Sequence, residues 1–339
     1  MARRAAVVAA SRHVAAAARF ACRPASWVGT AREVALCGFN VATYPLGIRP
    51  ARPTWHAETD EQSARAKRRL AVDPALAATP VLLVHGYVHN RSAFLAMSRA
   101  LKRAGFRYVH GFNYNAFGDG IGDSAARLGA EVERILEATG ADRVMIVAHS
   151  MGGVVARYYV QQLGGEDTVD TVITLGTPHQ GTYAAYLGAG PASVELRPGS
   201  SLLAGLDASA RPGPVRWIAY WSDLDVLIAP VRNARLLTPA LAAHNVRVRD
   251  TGHMSLLSSG WVMRDVLRHL SDPTLHRCAP GAAALATPAQ HHRRPGPAAD
   301  GAAAASAAAA SAPAASALAA ARDAGHPEVV EISGISAGG

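Results

Sequence analysis

"VMIVAHSMGG" occupies Val144 to Gly153. Four apolar residues, Val144–Val147, lead into Ala148 and His149, then a Ser, a Met and two glycines. An apolar run of this kind reads as a strand buried on both faces. The next stretch, "GVVARYYVQQLGG" (Gly153–Gly165), has helical length and stops on Gly. Ser150 therefore stands between a strand and a helix. So sharp a turn lifts the Ser hydroxyl above the sheet edge. It leaves room only for small residues two before and two after, here Ala148 and Gly152. The helix beginning near Met151 aims its positive dipole end at the same point.

The same rhythm extends on both sides of this stretch. "PVLLVHG" (Pro80–Gly86) and "RYVHGFNY" (Arg107–Tyr114) read as strands before it. "VDTVITLGTP" (Val169–Pro178), "VRWIAYWS" (Val215–Ser222) and "NVRVRDTG" (Asn245–Gly252) read as strands after it. Helix-length segments lie between or after them. "SAFLAMSRALKRAG" (Ser92–Gly105) has a Ser cap and a Gly stop, Ile121–Gly140 has helical spacing, and Trp261–Leu270 closes the series. Strands alternating with helices imply βαβ units and a mostly parallel sheet of about six strands with helices on both faces. Sites in such sheets lie beyond the carboxyl ends of the strands.

A Ser in a tight turn is by itself compatible with a purely structural role. An activated Ser needs a base, an orienting acid and oxyanion donors. His253, in "DTGHMSLL" behind the last strand, stands where the base belongs. His85 precedes Gly86 and is expected to shape that loop. His149, beside the Ser, is expected to point elsewhere. His89, His110, His179 and His244 hold no triad position. For a fold with this strand–Ser–helix elbow the acid should fall between Ser and His in chain order. "YWSDLDVLIAP" offers Asp223 and Asp225; Asp225 is preferred because it lies deeper in the loop and an apolar run follows it. The oxyanion donors expected are the backbone N–H groups of Met151, just after the Ser, and Tyr87, after the first strand. Gly86 lets the backbone at Tyr87 turn toward the site.

"LLVHGYVHN", "VAHSMGG", "TLGTPHQGT", "SDLDVLI" and "GHMSLL", in this order, resemble the bacterial lipase/esterase branch of the α/β-hydrolase superfamily. The A-x-S-x-G elbow is similar to that of small Bacillus-type lipases. The resemblance covers roughly residues 80–270. It implies a triad falling on Ser150, Asp225 and His253, hydrolysis of carboxylic esters (often acylglycerols) and no cofactor. Some lidded relatives hold a structural Ca²⁺ or Zn²⁺, but no convincing ligand set stands in this sequence. Acyl transfer or thioester cleavage uses the same machinery. A non-catalytic lipid- or partner-binding protein of this fold is the reading from a different class.

Three regions follow: a basic helical segment and linker over 1–79, a catalytic domain over 80–278 with a small cap insert near 179–214, and an Ala/Pro/Gly-rich tail over 279–339 that is expected to be disordered. In the insert, Tyr183, Tyr186, Leu187, Leu202 and Leu203 either line an acyl-chain groove or pack the insert onto the sheet. The net charge of +9 resides mostly in residues 1–79, which carry 12 Lys and Arg against 5 Asp and Glu. "RAKRR" (Arg65–Arg69) lacks interleaved aromatics, so nucleic acid is not an expected partner. Cys22, Cys37 and Cys278 form no disulfide framework or metal spacing, although Cys22 and Cys37 could pair. The N-terminus opens like a secretory signal, but Arg12 and His13 interrupt its apolar run. A cytoplasmic or peripheral membrane location is therefore expected over secretion. Residues 26–48 are apolar but hold Arg32 and Glu33. They read as a helix that packs on the domain or lies on a membrane surface, giving a peripheral contact through residues 1–48.

Overall fold

Strand residues that alternate in direction bury two faces at once, and the computed structural model shows both faces filled. It describes residues 24–48, 73–272 and 274. Six strands form one sheet: β1 (Val81–Val84), β2 (Val109–Phe112), β3 (Val144–His149), β4 (Val169–Leu175), β5 (Arg216–Ser222) and β6 (His244–Val248). Their order is β2-β1-β3-β4-β5-β6, and every neighbouring pair is parallel. Parallel neighbours need long crossovers. Helices α3 (Leu95–Ala104), α4 (Ile121–Thr139) and α5 (Met151–Gln162) supply the first three.

Leu82, Val84, Ile146 and Ala148 point to one face, where they pack with Leu128, Val132 and Ile135 of α4 and Val154 and Val155 of α5. Val81, Leu83, Met145 and Val147 point to the other, against Met97 and Leu101 of α3 and Val262 and Val266 of α8 (Gly260–Ser271). The central strands β1 and β3 are buried at every residue. The nucleophile turn thus grows out of the most constrained part of the sheet.

Gly105 ends α3 and Gly140 ends α4, both with left-handed backbone. The N-terminal cap ahead of α3 differs from the Ser92 expected. Asn90 accepts from Ser92 N at 2.9 Å and starts a 3-10 turn, Arg91–Phe94, that runs into α3. Its amide nitrogen meanwhile donates to Tyr44 O at 2.8 Å, so a partner far back in the chain orients the cap.

Tyr44 belongs to α1 (Pro24–Ile48). This helix packs on the domain. Asn113 donates to Gly47 O at 2.7 Å, and Arg32 donates to Ser258 O at 3.0 Å. Val28, Val34, Phe39 and Leu46 remain exposed on it. No described helix is long and apolar enough to cross a membrane. Asp73 caps the short helix α2 (Pro74–Ala78), within the stretch expected as linker. The signal-like N-terminus, residues 49–72, Cys22, Cys278 and the 279–339 tail lie outside the described residues. Cys37 is an exposed thiol on α1.

The insert between β4 and β5 contains a 3-10 turn, Tyr183–Leu187, and helices α6 (Pro191–Glu195) and α7 (Ser201–Ala208). Its apolar residues divide between buried and exposed positions. Leu203 is buried and Leu202 packs beside it, whereas Tyr183, Tyr186 and Leu187 face solvent. Glu195 accepts from Ile121 N at 2.7 Å and so caps α4. Arg157 of α5, fully buried, pairs with Asp207 of α7 at 2.7 Å.

Candidate active site

β3 ends at His149 and α5 begins at Met151, so Ser150 makes the whole turn alone. Its φ is 55° and its ψ −128°. A non-glycine residue in this region stores about 1–3 kcal/mol of backbone strain, which the surrounding structure must hold. The hold is visible: Ser150 N donates to Leu175 O of β4 at 2.9 Å. A side chain at Gly152 would stand 2.4 Å from His85 O, and one at Gly86 would stand 2.7 Å from Ser150 Cβ. Both glycines are therefore required by close approach. Met151 opens α5, so its N–H has no acceptor within the helix. Tyr87 follows Gly86 directly.

His253 and Asp225 are almost completely buried and lie together, Nδ1 to Oδ2, at 2.7 Å. The other Asp225 oxygen accepts from Leu227 N and Ile228 N, each at 3.0 Å. Asp223 is elsewhere: it meets Arg247 at 3.0 Å and Asp250 N at 3.0 Å near the surface. The pair sits against Gly176, the residue after β4. Gly176 has φ 58°, and a Cβ there would lie 2.9 Å from Asp225 Oδ2 and 3.1 Å from His253 Nδ1. Since Leu175 receives the Ser150 amide, Ser150, Gly176, Asp225 and His253 share one edge of the sheet. The structure draws no hydrogen bond from Ser150 Oγ to His253 among the described residues.

Burial alone would drive the His253 imidazole toward its neutral form. The Asp225 charge and hydrogen bond, with a further contribution from Glu33, overcome that and hold its pKa above the ordinary imidazole value. His149 does not point elsewhere. Its ring lies 4.5 Å from the His253 ring, and Nε2 lies 3.1 Å from His253 O. His89 lies edge-on to His149, with ring centroids 6.2 Å apart. Burial, aided by neighbouring histidines, pushes His149 well below the usual range, and burial takes His89 to about 4. His85 keeps its loop role: Nδ1 is 2.8 Å from Gly86 O, and the ring stacks on Tyr114.

Gly176, His149, His89 and Glu33 are the residues that sequence reasoning missed here. Gly176 had a signal, since it follows a strand just as Gly86 does. Glu33 had none. It reaches the His253 loop from α1 and accepts from Met254 N, Ser255 N and Ser255 Oγ at 2.6–2.9 Å. Among the described residues no group of three or more His, Cys, Asp or Glu could hold a metal ion.

A six-stranded parallel sheet with the strained Ser after its third strand, and a buried Asp–His pair beside it, narrows the fold to one. The chain is an α/β-hydrolase-fold protein. Residues 79–190 match the family model described as alpha/beta hydrolase fold. A triacylglycerol lipase of Pseudarthrobacter phenanthrenivorans is 32% identical over 113 residues, covering 31% of this chain and 35% of the relative. A triacylglycerol lipase of Burkholderia plantarii is 32% identical over 113 residues, 31% of each chain. The matched stretch thus spans about a third of these lipases. The crystal structure of a Bacillus licheniformis lipase in its mature form superposes with a TM-score of 0.50 at 19% identity, over 59% of this chain and 94% of that one. The α/β-hydrolase sheet and its helices are shared with that lipase; the identity is too low to carry more than the fold.

Proposed function

We propose that this α/β-hydrolase cleaves carboxylic esters through an acyl-enzyme on Ser150. The buried Asp225–His253 pair beside the strained Ser turn carries the reading. With Nδ1–H donated to Asp225, His253 presents Nε2 as the base. Ser150 Oγ attacks the ester carbonyl and its proton passes to Nε2. The tetrahedral oxyanion takes hydrogen bonds from Met151 N–H and Tyr87 N–H. Collapse breaks the bond to the alcohol, which leaves with the proton from His253. Water then attacks the acyl-enzyme by the same path, giving the acid and free Ser150.

Acylglycerols are the proposed substrate class, supported by the names of the two lipases that the chain resembles. The catalytic domain is proposed to run over 80–278, with the 179–214 insert as a small cap. Its exposed Tyr183, Tyr186 and Leu187 are proposed to meet the acyl chain, while Leu203 anchors the insert. Peripheral contact with a lipid surface through residues 1–48 belongs to the same proposal, supported by the apolar side chains that α1 leaves exposed. A fluorophosphonate probe tests the chemistry, because it labels only an activated Ser. Labelling of the wild type at Ser150, lost in His253→Ala, is the expected result. An unlabelled wild type that still binds lipid vesicles would replace the hydrolase with a non-catalytic binder. A p-nitrophenyl ester series of rising acyl length then ranks the substrates.

A further inference from the structure

The turn that carries His253 has no cap of its own. His253 precedes the 3-10 turn Met254–Leu257 and makes no side-chain cap hydrogen bond. The first amides of such a turn lack internal acceptors and need an outside oxygen. Glu33 supplies it. Oε1 accepts from Met254 N at 2.6 Å, and Oε2 accepts from Ser255 N at 2.9 Å and Ser255 Oγ at 2.8 Å. This is the work of an N-terminal cap carboxylate, done from another helix more than two hundred residues away. Gly252 makes room for it, since a Cβ there would stand 2.3 Å from Glu33 Oε2. One residue back on α1, Arg32 donates to Ser258 O at the far end of the same turn. The turn that follows His253 is thus held at both ends by α1.

We infer that Glu33 is a positioning residue: it fixes the turn after His253 so that the imidazole stays bonded to Asp225 beside the Ser150 turn. This rests on the reading of His253 as the base. The carboxylate also acts through its charge. The ionisable groups facing His253 are Asp225 from the loop after β5, His149 from β3, His89 from the loop after β1 and Glu33 from α1. Both neighbouring histidines are held neutral in the working range, chiefly by burial. Asp225 and Glu33 therefore set the field at the imidazole, and both favour its protonated form. A general base works only when neutral. Removing the Glu33 charge should let His253 deprotonate at lower pH and move the acid limb of kcat/KM to lower pH.

The test uses the full chain carrying Glu33→Gln, nearly isosteric but with one accepting oxygen and no charge. Hydrolysis of a short p-nitrophenyl ester is measured across pH, with rates expressed per fluorophosphonate-labelled site and Tm recorded. The expected result is a loss of about tenfold or more in kcat per labelled site, the scale that follows from misplacing a catalytic group by a fraction of an ångström. KM should change little, and the acid limb should shift to lower pH. Wild-type kcat and an unmoved limb would overturn the inference. So would a loss of activity that only tracks the loss of labelled sites, with the limb in place, since that is the mark of a purely structural role. If the wild type labels and hydrolyses while Glu33→Gln matches it, the Glu33 role alone is wrong. If the wild type does neither, the hydrolase reading fails and the Glu33 role with it.

Discussion

The turn carrying Ser150 and the turn carrying His253 lie at the same edge of one sheet, yet they are held in different ways. Ser150 joins a strand buried at every residue to a helix that starts one residue later. Its strained backbone is held by the strand and helix on either side, by the Leu175 carbonyl of β4 and by close packing against His85 and Gly86. His253 follows β6, an edge strand buried only at Val248. Its irregular loop is held by distant groups: Glu33 and Arg32 of α1, the His149 ring, and Ser222, whose hydroxyl donates to Thr251 O. The Ser150 turn is held by the packed backbone of the central sheet, the His253 turn by side chains from remote parts of the fold. Perturbations far from the chemistry should therefore reach the base before the nucleophile.

The comparison breaks most completely at the Ser. Ser150→Ala should abolish ester hydrolysis and labelling with Tm close to wild type, because an Ala Cβ fits wherever the Ser Cβ does. Triad Ser removal costs roughly 10⁶-fold elsewhere, so turnover above about a thousandth of wild type would contradict the assignment. Asp225→Asn comes next. The Asn oxygen can still accept from Leu227 N and Ile228 N, but its amide would face His253 Nδ1 and force the wrong tautomer. A fall in kcat of about 10⁴ is expected, as for other triads. The acid limb should also drop, since Asp225 is the main group raising the His253 pKa. In the wild type that limb should lie above the ordinary imidazole value. Asp223→Asn disturbs a surface pair with half-exposed Arg247, and a few-fold change in kcat at most is expected. Such pairs contribute about 0–1 kcal/mol.

Legibility in the sequence followed the same division. The six strands, their helices and the Ser turn were readable because each is coded by neighbours: apolar runs, helical spacing and glycines at stops. Gly152 could be placed because its role is steric and adjacent to the Ser, whereas the close approach of Gly86 to Ser150 comes from the sheet. The cap ahead of α3 differs from the expected one because Asn90, two residues earlier than Ser92, is oriented by Tyr44 of α1. His149 was expected to turn away, but parallel pairing brings the ends of β3 and β6 to one edge and sets its ring, tilted by 51°, against that of His253. Glu33 was invisible for the same reason. A carboxylate in a helix reads as a surface charge until the tertiary structure sets it against a loop 221 residues on.

Removal of residues 1–48 sharpens the comparison between local and remote support. The truncated chain loses the Glu33 and Arg32 contacts to the His253 turn and the Tyr44 and Gly47 carbonyls that hold Asn90 and Asn113. Each lost bond of this kind is worth about 1 kcal/mol net, so Tm should fall by several degrees. Ester turnover should fall at least as far as in Glu33→Gln. Co-sedimentation of the full chain with anionic vesicles, weakening as salt rises, would add the membrane role to the structural one. A truncated protein with wild-type Tm and turnover would mean that α1 supports nothing.

Tyr87→Phe should have a small effect on short-ester turnover, and it separates a backbone role from a side-chain role at one residue. Tyr87 OH donates to Ala189 O and accepts from Ala189 N at 2.7 Å, tying the loop after β1 to the insert. Phe lacks both bonds. Ala189 is exposed, so water can replace the lost partner and the cost should stay near 1 kcal/mol. The oxyanion donor proposed at this position is the amide, which Phe retains. Turnover of a short ester should therefore remain within a few-fold of wild type. The acyl-chain profile should change more, because the released insert carries Tyr183, Tyr186 and Leu187, all exposed beside it. A flattened chain-length preference with intact short-ester kcat would place Tyr87 between catalysis and selection. A collapse of short-ester kcat would instead show that the turn after Gly86, unlike the Ser turn, depends on its remote tie to hold the amide in place.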